Sequence, residues 1–138
     1  MKNIFLILFL IFPFINLAQG FDESFDKVKT IQWINSKNIK PGGNTYNLSS
    51  LKTTMTYTEN FFDKNSSVTY KLDLSQVTIS VSGKKVILKC KSGNCVDYSF
   101  ASPTGTENKK LDKLELEAAT SVNDLYRAMT TLCKRVGL

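Results

Sequence analysis

The sequence predicts an α+β domain in which antiparallel strands lie between an N-terminal and a C-terminal helix. Three observations predict this class. Near both ends of the chain, apolar residues repeat every three or four positions, which is the period of a helix buried on one side. Over residues 44–118, apolar and polar residues alternate, as in strands with one buried and one wet face. Short breaks between the alternating stretches favour hairpins, and therefore a meander.

Ahead of the first helix, the first twenty residues have the three parts of an export signal. A lysine precedes nine consecutive apolar residues at positions 4–12, and Ala18-Gln19-Gly20 offers small residues at a cleavage site. A membrane anchor needs about 20 apolar residues, whereas a proline and an asparagine interrupt this run. We therefore expect a signal peptide over residues 1–20 and one globular domain over residues 21–138. We expect the protein to be secreted or periplasmic, without a membrane span once the signal is removed.

The first helix is predicted by a stripe of apolar residues spaced three or four apart: Phe21, Phe25, Val28, Ile31 and Ile34. Acidic residues at its start and lysines at its end suit the helix dipole. Pro41-Gly42-Gly43 ends it. Trp33 lies off the stripe, so we expect it to pack against a strand or the opposite helix.

The strands are predicted from five runs of alternating residues that share one inward face: Leu51, Thr53, Met55 and Tyr57; Val68, Tyr70, Leu72 and Leu74; Val77, Ile79 and Val81; Val86, Leu88 and Cys90; Leu114, Leu116 and Ala118. We expect five or six antiparallel strands in one meander, either open or closing partly toward a small barrel. Residues 101–110 lack a clear pattern and are expected to form a long loop.

The C-terminal helix has the clearest signal in the chain. Thr120 or Ser121 can cap its first turn, with Asp124 three residues after Ser121, and Lys134 and Arg135 lie in its last turn. Its apolar stripe follows helical spacing: Val122, Leu125, Met129, Leu132 and Val136. We expect both helices to cover the apolar face of the sheet.

The three cysteines lie in different settings. Cys90 and Cys95 flank a four-residue turn, so they would face each other across a hairpin and form a disulfide in an oxidising compartment. The alternatives are two reduced thiols or a redox pair, although redox pairs usually have two residues between their cysteines. Cys133 lies on the C-terminal stripe, and we expect a buried, reduced thiol. The alternative is a pairing with Cys90 or Cys95.

The composition excludes most catalytic chemistry. The chain has 18 Lys and Arg against 12 Asp and Glu, a net charge of +6, and no histidine. Without histidine it lacks the commonest general base and a principal zinc ligand. Asp112, Glu115 and Glu117 cluster near one strand, but the alternation places both glutamates on its wet face. We therefore expect no enzyme, no catalytic residue, no metal and no cofactor.

Basic residues gather around one predicted turn, at Lys84, Lys85, Lys89 and Lys91. They could attract an anionic surface or an acidic protein. Lysines at sheet edges also prevent aggregation, which is the interpretation we favour. Nucleic-acid readers usually add arginines and exposed aromatics, and the chain has only Arg127 and Arg135, so we expect no nucleic-acid partner.

Several short segments resemble a diffuse group of short exported proteins of Bacteroidota that have no assigned activity: Ile31-Gln32-Trp33-Ile34, Leu72-Asp73-Leu74, Val86-Ile87-Leu88-Lys89-Cys90, Cys95-Val96 and Leu125-Tyr126-Arg127-Ala128. The resemblance implies no functional residues. A meander followed by a helix is also similar in topology to the pleckstrin-homology-like fold, which by itself does not imply lipid binding.

The sequence thus favours an exported, non-enzymatic binding or interaction domain of unknown partner. The alternative is a carrier of a small apolar or anionic ligand in the periplasm. A cavity above about 300 Å³ would favour the carrier, whereas an exposed aromatic patch would favour a protein partner.

Overall fold

The computed structural model of the protein describes residues 20–37, 45–61, 64–119 and 121–135. This part of the chain contains two α-helices and eight strands, in this order: α1 (Lys27–Lys37), β1 (Thr45–Leu51), β2 (Thr54–Phe61), β3 (Ser66–Asp73), β4 (Val77–Ser82), β5 (Lys85–Cys90), β6 (Val96–Ser102), β7 (Gly105–Leu111), β8 (Lys113–Glu117) and α2 (Val122–Arg135). The predicted α+β class, antiparallel strands flanked by a helix at each end, is confirmed. Residues 1–19 of the predicted export signal lie outside the described residues.

The strands form two antiparallel sheets rather than one meander. The larger sheet has the order β1-β2-β3-β6-β7, and the smaller has the order β4-β5-β8. In the described ranges there are thus eight strands where the alternation predicts five or six, and neither sheet closes into a barrel. Two local features account for the additional strands.

The first feature is a hairpin within the run around Leu51. Leu51 pairs with Thr54, so Lys52 and Thr53 alone form the turn between β1 and β2. Lys52 takes a positive φ of 53°, a conformation that hairpin turns usually assign to glycine or asparagine. The turn between β1 and β2 contains neither glycine nor asparagine, so the sequence gives no turn signal there.

The second feature is β7, which lies in the segment predicted to be a loop. It pairs with β6 along its whole length, and a two-residue turn at Pro103 and Thr104 joins the two strands. Nearly all of its side chains are exposed on both faces, because β7 is an edge strand. With no buried face, the strand has no alternating pattern to reveal it.

The chain crosses between the sheets at three neighbouring segments, which we call the seam: Leu74–Gln76 between β3 and β4, residues 91–95 between β5 and β6, and Asp112 between β7 and β8. The Lys91 amide donates to the Gln76 carbonyl at 2.9 Å, and the Cys90 amide donates to the Asp112 carbonyl at 2.8 Å. At the seam, β3 leads into β4, β5 leads into β6, and β7 leads into β8. Because these strands have the same order in both sheets, the smaller sheet continues three strands of the larger one.

Helix α1 begins six residues later than the apolar stripe predicts. Asp26 caps it, with the Lys29 amide donating to the Asp26 carboxylate at 2.8 Å. Phe21 is buried from outside the helix, and its ring packs edge-on against Trp33 at 5.1 Å. Val28, on the predicted stripe, is 62% exposed. The cap therefore sets the helix start, and of the predicted stripe only Val28 faces solvent, whereas Ile34 is buried and Phe25 and Ile31 pack against the core.

Asn35 joins α1 to the edge of the larger sheet. Its side-chain amide donates to the Leu48 carbonyl at 2.9 Å, and its side-chain carbonyl accepts from the Leu48 amide at 2.7 Å. Leu48 lies opposite Tyr57 in β2, and its own backbone groups point away from that strand toward the helix. One side chain thus satisfies both polar groups of an edge residue.

Helix α2 packs against β4 and β5, and α1 packs against α2 and β1. The Asp124 amide donates to the Ser121 hydroxyl at 3.2 Å, which confirms the predicted cap. The helix buries Leu125, Met129 and Leu132 at the predicted spacing. They join one core with residues from both sheets: Leu48, Met55, Leu72, Val86, Leu88, Leu114 and Leu116. Val136 lies outside the described residues.

Candidate functional site

Cys90 and Cys95 form the predicted disulfide, with their sulfurs 2.10 Å apart and their Cα atoms 5.7 Å apart. The predicted hairpin around them is wrong, since β5 pairs with β4 and β8 whereas β6 pairs with β3 and β7. The spacing of the cysteines places them within bonding reach, but it does not decide which strands become neighbours. The bond closes one crossing of the seam, where it links the end of β5 in the smaller sheet to the residue before β6 in the larger sheet.

Cys133 is a free thiol on α2, partly buried rather than fully buried. Burial raises the pKa of the Cys133 thiol to about 11, and the charge of nearby Lys91 lowers it by less. The thiol is therefore protonated at neutral pH, which makes it a poor nucleophile. Cys133 and Lys91 both line a groove between α2 and β4.

The acidic cluster on β8 is solvated, as the alternation predicts. Leu114 and Leu116 are buried, while Glu115 and Glu117 lie on the opposite face. Glu115 contacts Lys113 at 2.7 Å and Lys85 at 2.8 Å. Hydrogen bonds from these two lysines lower the pKa of Glu115 to about 2. A carboxylate held ionised in this way has no proton to give as a general acid.

The lysines have separate environments. The β5 lysines lie on the central strand of the smaller sheet, so edge protection does not apply to them. On edge strand β7, Lys110 contacts Asp97 at 2.8 Å and Lys109 contacts Glu107 at 3.2 Å. The favoured interpretation as edge protection therefore fits β7 and β8 only, because the topology decides which strands are edges.

Three tyrosines and a lysine form a row across the larger sheet, which we call the aromatic row. Tyr57, Tyr70 and Tyr98 lie opposite one another on β2, β3 and β6. Ring centroids are 6.1 Å apart between Tyr57 and Tyr70 and 5.4 Å apart between Tyr70 and Tyr98. The Lys109 ammonium lies 4.6 Å from the centre of the Tyr98 ring, a cation–π contact.

Exposure increases along the aromatic row. Tyr57 is 3% exposed, Tyr70 and Tyr98 are partly exposed, and the Lys109 side chain is 48% exposed. Burial, with the nearby charge of Glu59, raises the pKa of Tyr70, so its hydroxyl stays neutral and can donate a hydrogen bond. The row thus leads from the core to the surface.

The same face continues to Phe61 and Phe100 by strand alternation. We call Phe61, Tyr70, Tyr98 and Phe100 the aromatic patch. All four are partly exposed. Of these, Tyr70 packs against the core cluster, whereas the other three lie beyond it in the described part of the chain.

The opposite face of the same strands is polar. A row of Thr58, Thr69, Ser99 and Asn108 crosses it in register, and the first two hydroxyls lie 3.3 Å apart. The two faces of the larger sheet therefore differ in chemistry. This contrast provides matched control positions for the aromatic patch.

Reasoning from the sequence misses the aromatic patch. It places Tyr57 and Tyr70 in the core by alternation and does not single out Tyr98 or Phe100. The alternation of Val96, Tyr98 and Phe100 is a local signal that could have found β6. The aromatic row itself depends on strand register, which no local pattern specifies.

A groove of about 460 Å³ lies between α2 and β4, and we call it the α2–β4 groove. One part of its lining is apolar: Leu74, Val77, Ile79, Tyr126 and Cys133. The other part is polar: Ser75, Lys91, Thr130 and Lys134. The Lys91 ammonium donates to the Ser75 carbonyl at 2.7 Å. The Thr130 hydroxyl is buried without a hydrogen-bond partner in the described residues, which is uncommon in folded proteins.

Within the described ranges, no group of three or more cysteine or acidic side chains is placed to hold a metal ion. No helix in those ranges has the length and apolar character needed to cross a membrane. Comparison with known proteins finds no family model, no curated protein and no solved structure that matches the chain.

Proposed function

We propose that the protein is an exported, non-enzymatic binding domain whose protein partner docks on the aromatic patch. The observation that carries the proposal is the increasing exposure along the aromatic row, from buried Tyr57 to exposed Lys109. Partly exposed aromatic side chains beside a polar rim are typical of the anchor residues in protein interfaces.

Packing prepares these rings for binding. Tyr98 is held between the Tyr70 ring and the Lys109 ammonium, so it would lose little rotamer freedom on contact with a partner. Glu107 and Lys109 form part of the rim, and both are exposed. Charged residues at a rim influence orientation and association rate more than affinity.

The environments of the titratable groups support a non-enzymatic role. Glu115 is bound by two lysines, and the Cys133 thiol has a raised pKa and faces no histidine. Neither provides a nucleophile with an adjacent base. Export is supported by the signal-like residues 1–20 and by the disulfide, which is common in oxidising compartments.

The test is a pull-down from the envelope fraction and culture medium of the native host, with mass spectrometry of the eluted proteins. Wild-type protein is compared with Tyr98→Ala and Phe100→Ala. Ser99→Ala is the matched control, because Ser99 lies between these residues in the chain and faces the opposite side of the sheet. We expect one partner that wild type and Ser99→Ala retain and the two aromatic variants lose.

Circular dichroism and melting temperature establish that each variant is folded. Equal capture of the same partner by folded Tyr98→Ala, Phe100→Ala and wild type would reject the aromatic patch as the docking surface. Conversion of a substrate by the purified protein would reject the non-enzymatic role.

A second candidate function is carriage of a small ligand. The volume of the α2–β4 groove, about 460 Å³, lies in the range of small-molecule sites. Native mass spectrometry of protein purified from its own host tests this function. A bound small molecule that is released on denaturation is the expected result, and its absence at all protein concentrations would count against carriage.

A further inference from the structure

We infer that the α2–β4 groove binds one long-chain fatty carboxylate, with the acyl chain along β4 and the carboxylate between Lys91 and Lys134. The inference rests on the second candidate function, ligand carriage, and names its ligand class. The occupant is a free fatty acid anion rather than a membrane surface, because the apolar and the basic lining residues converge on one groove between α2 and β4.

The apolar wall follows the inward face of β4. Val77 is buried, Ile79 is partly exposed and Val81 is 41% exposed, so the apolar side chains of β4 become more exposed along the strand. Across the groove, α2 presents the Tyr126 ring. Val77 and Ile79 line the groove over about 7 Å at strand spacing, and the same face of β4 continues beyond the groove to Val81, about 13 Å from Val77, so an extended acyl chain can leave the groove along the strand.

β4 is an edge strand of the smaller sheet. Edge strands usually carry charges or prolines that discourage contact, whereas its sequence, VTISVS, has neither. An edge strand without such protection is open to being covered by a ligand or a partner.

The groove carries two basic residues, Lys91 of the seam and Lys134 of α2, and no carboxylate is among its described lining residues. Lys91 is fixed in place, since its amide donates to the Gln76 carbonyl and its ammonium donates to the Ser75 carbonyl. Two ammonium groups without a lining carboxylate favour an anion in this groove.

Basic and apolar parts therefore occur in one cleft, which matches an anionic amphiphile rather than a purely apolar or purely ionic ligand. Thr130 and Cys133 line the groove from α2. The Cys133 thiol therefore reports directly on occupation of the groove.

The test uses protein expressed with its own N-terminal segment, purified after export and freed of lipid. Calorimetric titration with hexadecanoate, below its micelle concentration, is compared with methyl hexadecanoate, which lacks the charge. We expect one site for hexadecanoate and roughly tenfold or greater weakening for the ester, as loss of a charged hydrogen bond implies.

Four variants locate the site. Lys134→Gln and Lys91→Gln should each weaken hexadecanoate binding about tenfold. Ile79→Asp should abolish it by placing a carboxylate on the apolar wall. Lys89→Gln is the control and should bind like wild type, because Lys89 is an exposed lysine of β5 outside the lining of the groove.

Maleimide labelling of Cys133 provides an independent readout. Saturating hexadecanoate should slow labelling about tenfold or more in wild type and in Lys89→Gln. Binding that leaves the labelling rate unchanged would place the ligand elsewhere and overturn the inference. Equal affinity for the acid and its ester would also overturn it.

Two further outcomes separate this inference from ligand carriage itself. If native mass spectrometry finds a different small molecule that protects Cys133, carriage stands and the fatty carboxylate is rejected. If the protein is a dimer and Cys133 becomes reactive only on dissociation, a second copy occupies the groove and both are rejected.

Discussion

Asn35→Ala should destabilise the protein by removing the link between α1 and the edge of the larger sheet. The Asn35 side chain donates to the Leu48 carbonyl at 2.9 Å and accepts from the Leu48 amide at 2.7 Å. Alanine can do neither, so both backbone groups of Leu48 lose their partner in a partly buried position.

The expected magnitude follows from the two lost bonds. A buried backbone group without a partner costs about 1–3 kcal/mol, and partial access to water places each group near the low end. Two such groups give about 2–3 kcal/mol. Alanine favours the helix over asparagine by roughly 0.6 kcal/mol, which leaves a net loss of about 2 kcal/mol. For a domain of this size, that loss corresponds to a melting temperature lower by about 6–10 °C.

Urea unfolding followed by circular dichroism measures this loss. Gln32→Ala is the control, because Gln32 is an exposed position on the same helix. Asn35→Asp should fall between wild type and Asn35→Ala, since it can accept from the Leu48 amide but cannot donate to the Leu48 carbonyl. A change below about 0.5 kcal/mol for Asn35→Ala, with an unchanged slope, would refute the reasoning.

Three further predictions concern stability. Replacing Cys90 and Cys95 together with serine should lower the free energy of unfolding by about 2 kcal/mol, because the disulfide closes a short loop; thiol counting should find one free thiol in the denatured, unreduced wild type, and three would contradict the bond. Leu88→Ala, at a fully buried position in β5, should cost about 3 kcal/mol by chemical denaturation. Ile87→Ala, on the other face of the same strand, should cost about 1 kcal/mol, and equal losses would contradict the assigned faces. Glu115→Gln should lower the melting temperature at neutral pH. The folded pKa of Glu115 is lowered from 4.5 to about 2, so wild type should lose this advantage as the pH falls from about 4.5 to about 2. A difference that persists below pH 2 would show another cause.

Helix α2 illustrates how far local pattern can predict this structure. Leu125, Met129 and Leu132 are buried at the predicted spacing, and Ser121 caps the helix. These features depend on residues within a few positions of one another. The same holds for the buried Leu114 and Leu116 of β8, where the period of two places both glutamates in solvent.

Two local signals in the sequence disagree about the residue at which α1 begins. The apolar stripe from Phe21 predicts an early start, whereas Asp26 can cap a later one. The cap prevails in the structure, with Phe21 buried outside the helix against Trp33. Which signal prevails depends on the surface available to Phe21, and the rest of the fold provides that surface.

The sequence by itself determined the α+β class, most buried positions of the strands, the C-terminal helix and the bonding reach of Cys90 and Cys95. Each follows from short-range periodicity or spacing, which backbone geometry imposes locally. Only the tertiary structure decided that β5 and β6 belong to different sheets, that Tyr57, Tyr70 and Tyr98 align, and that α2 and β4 enclose a groove. These features depend on strand register and on the choice of neighbours between distant segments, and that choice is set by the total burial of the whole chain rather than by any one segment.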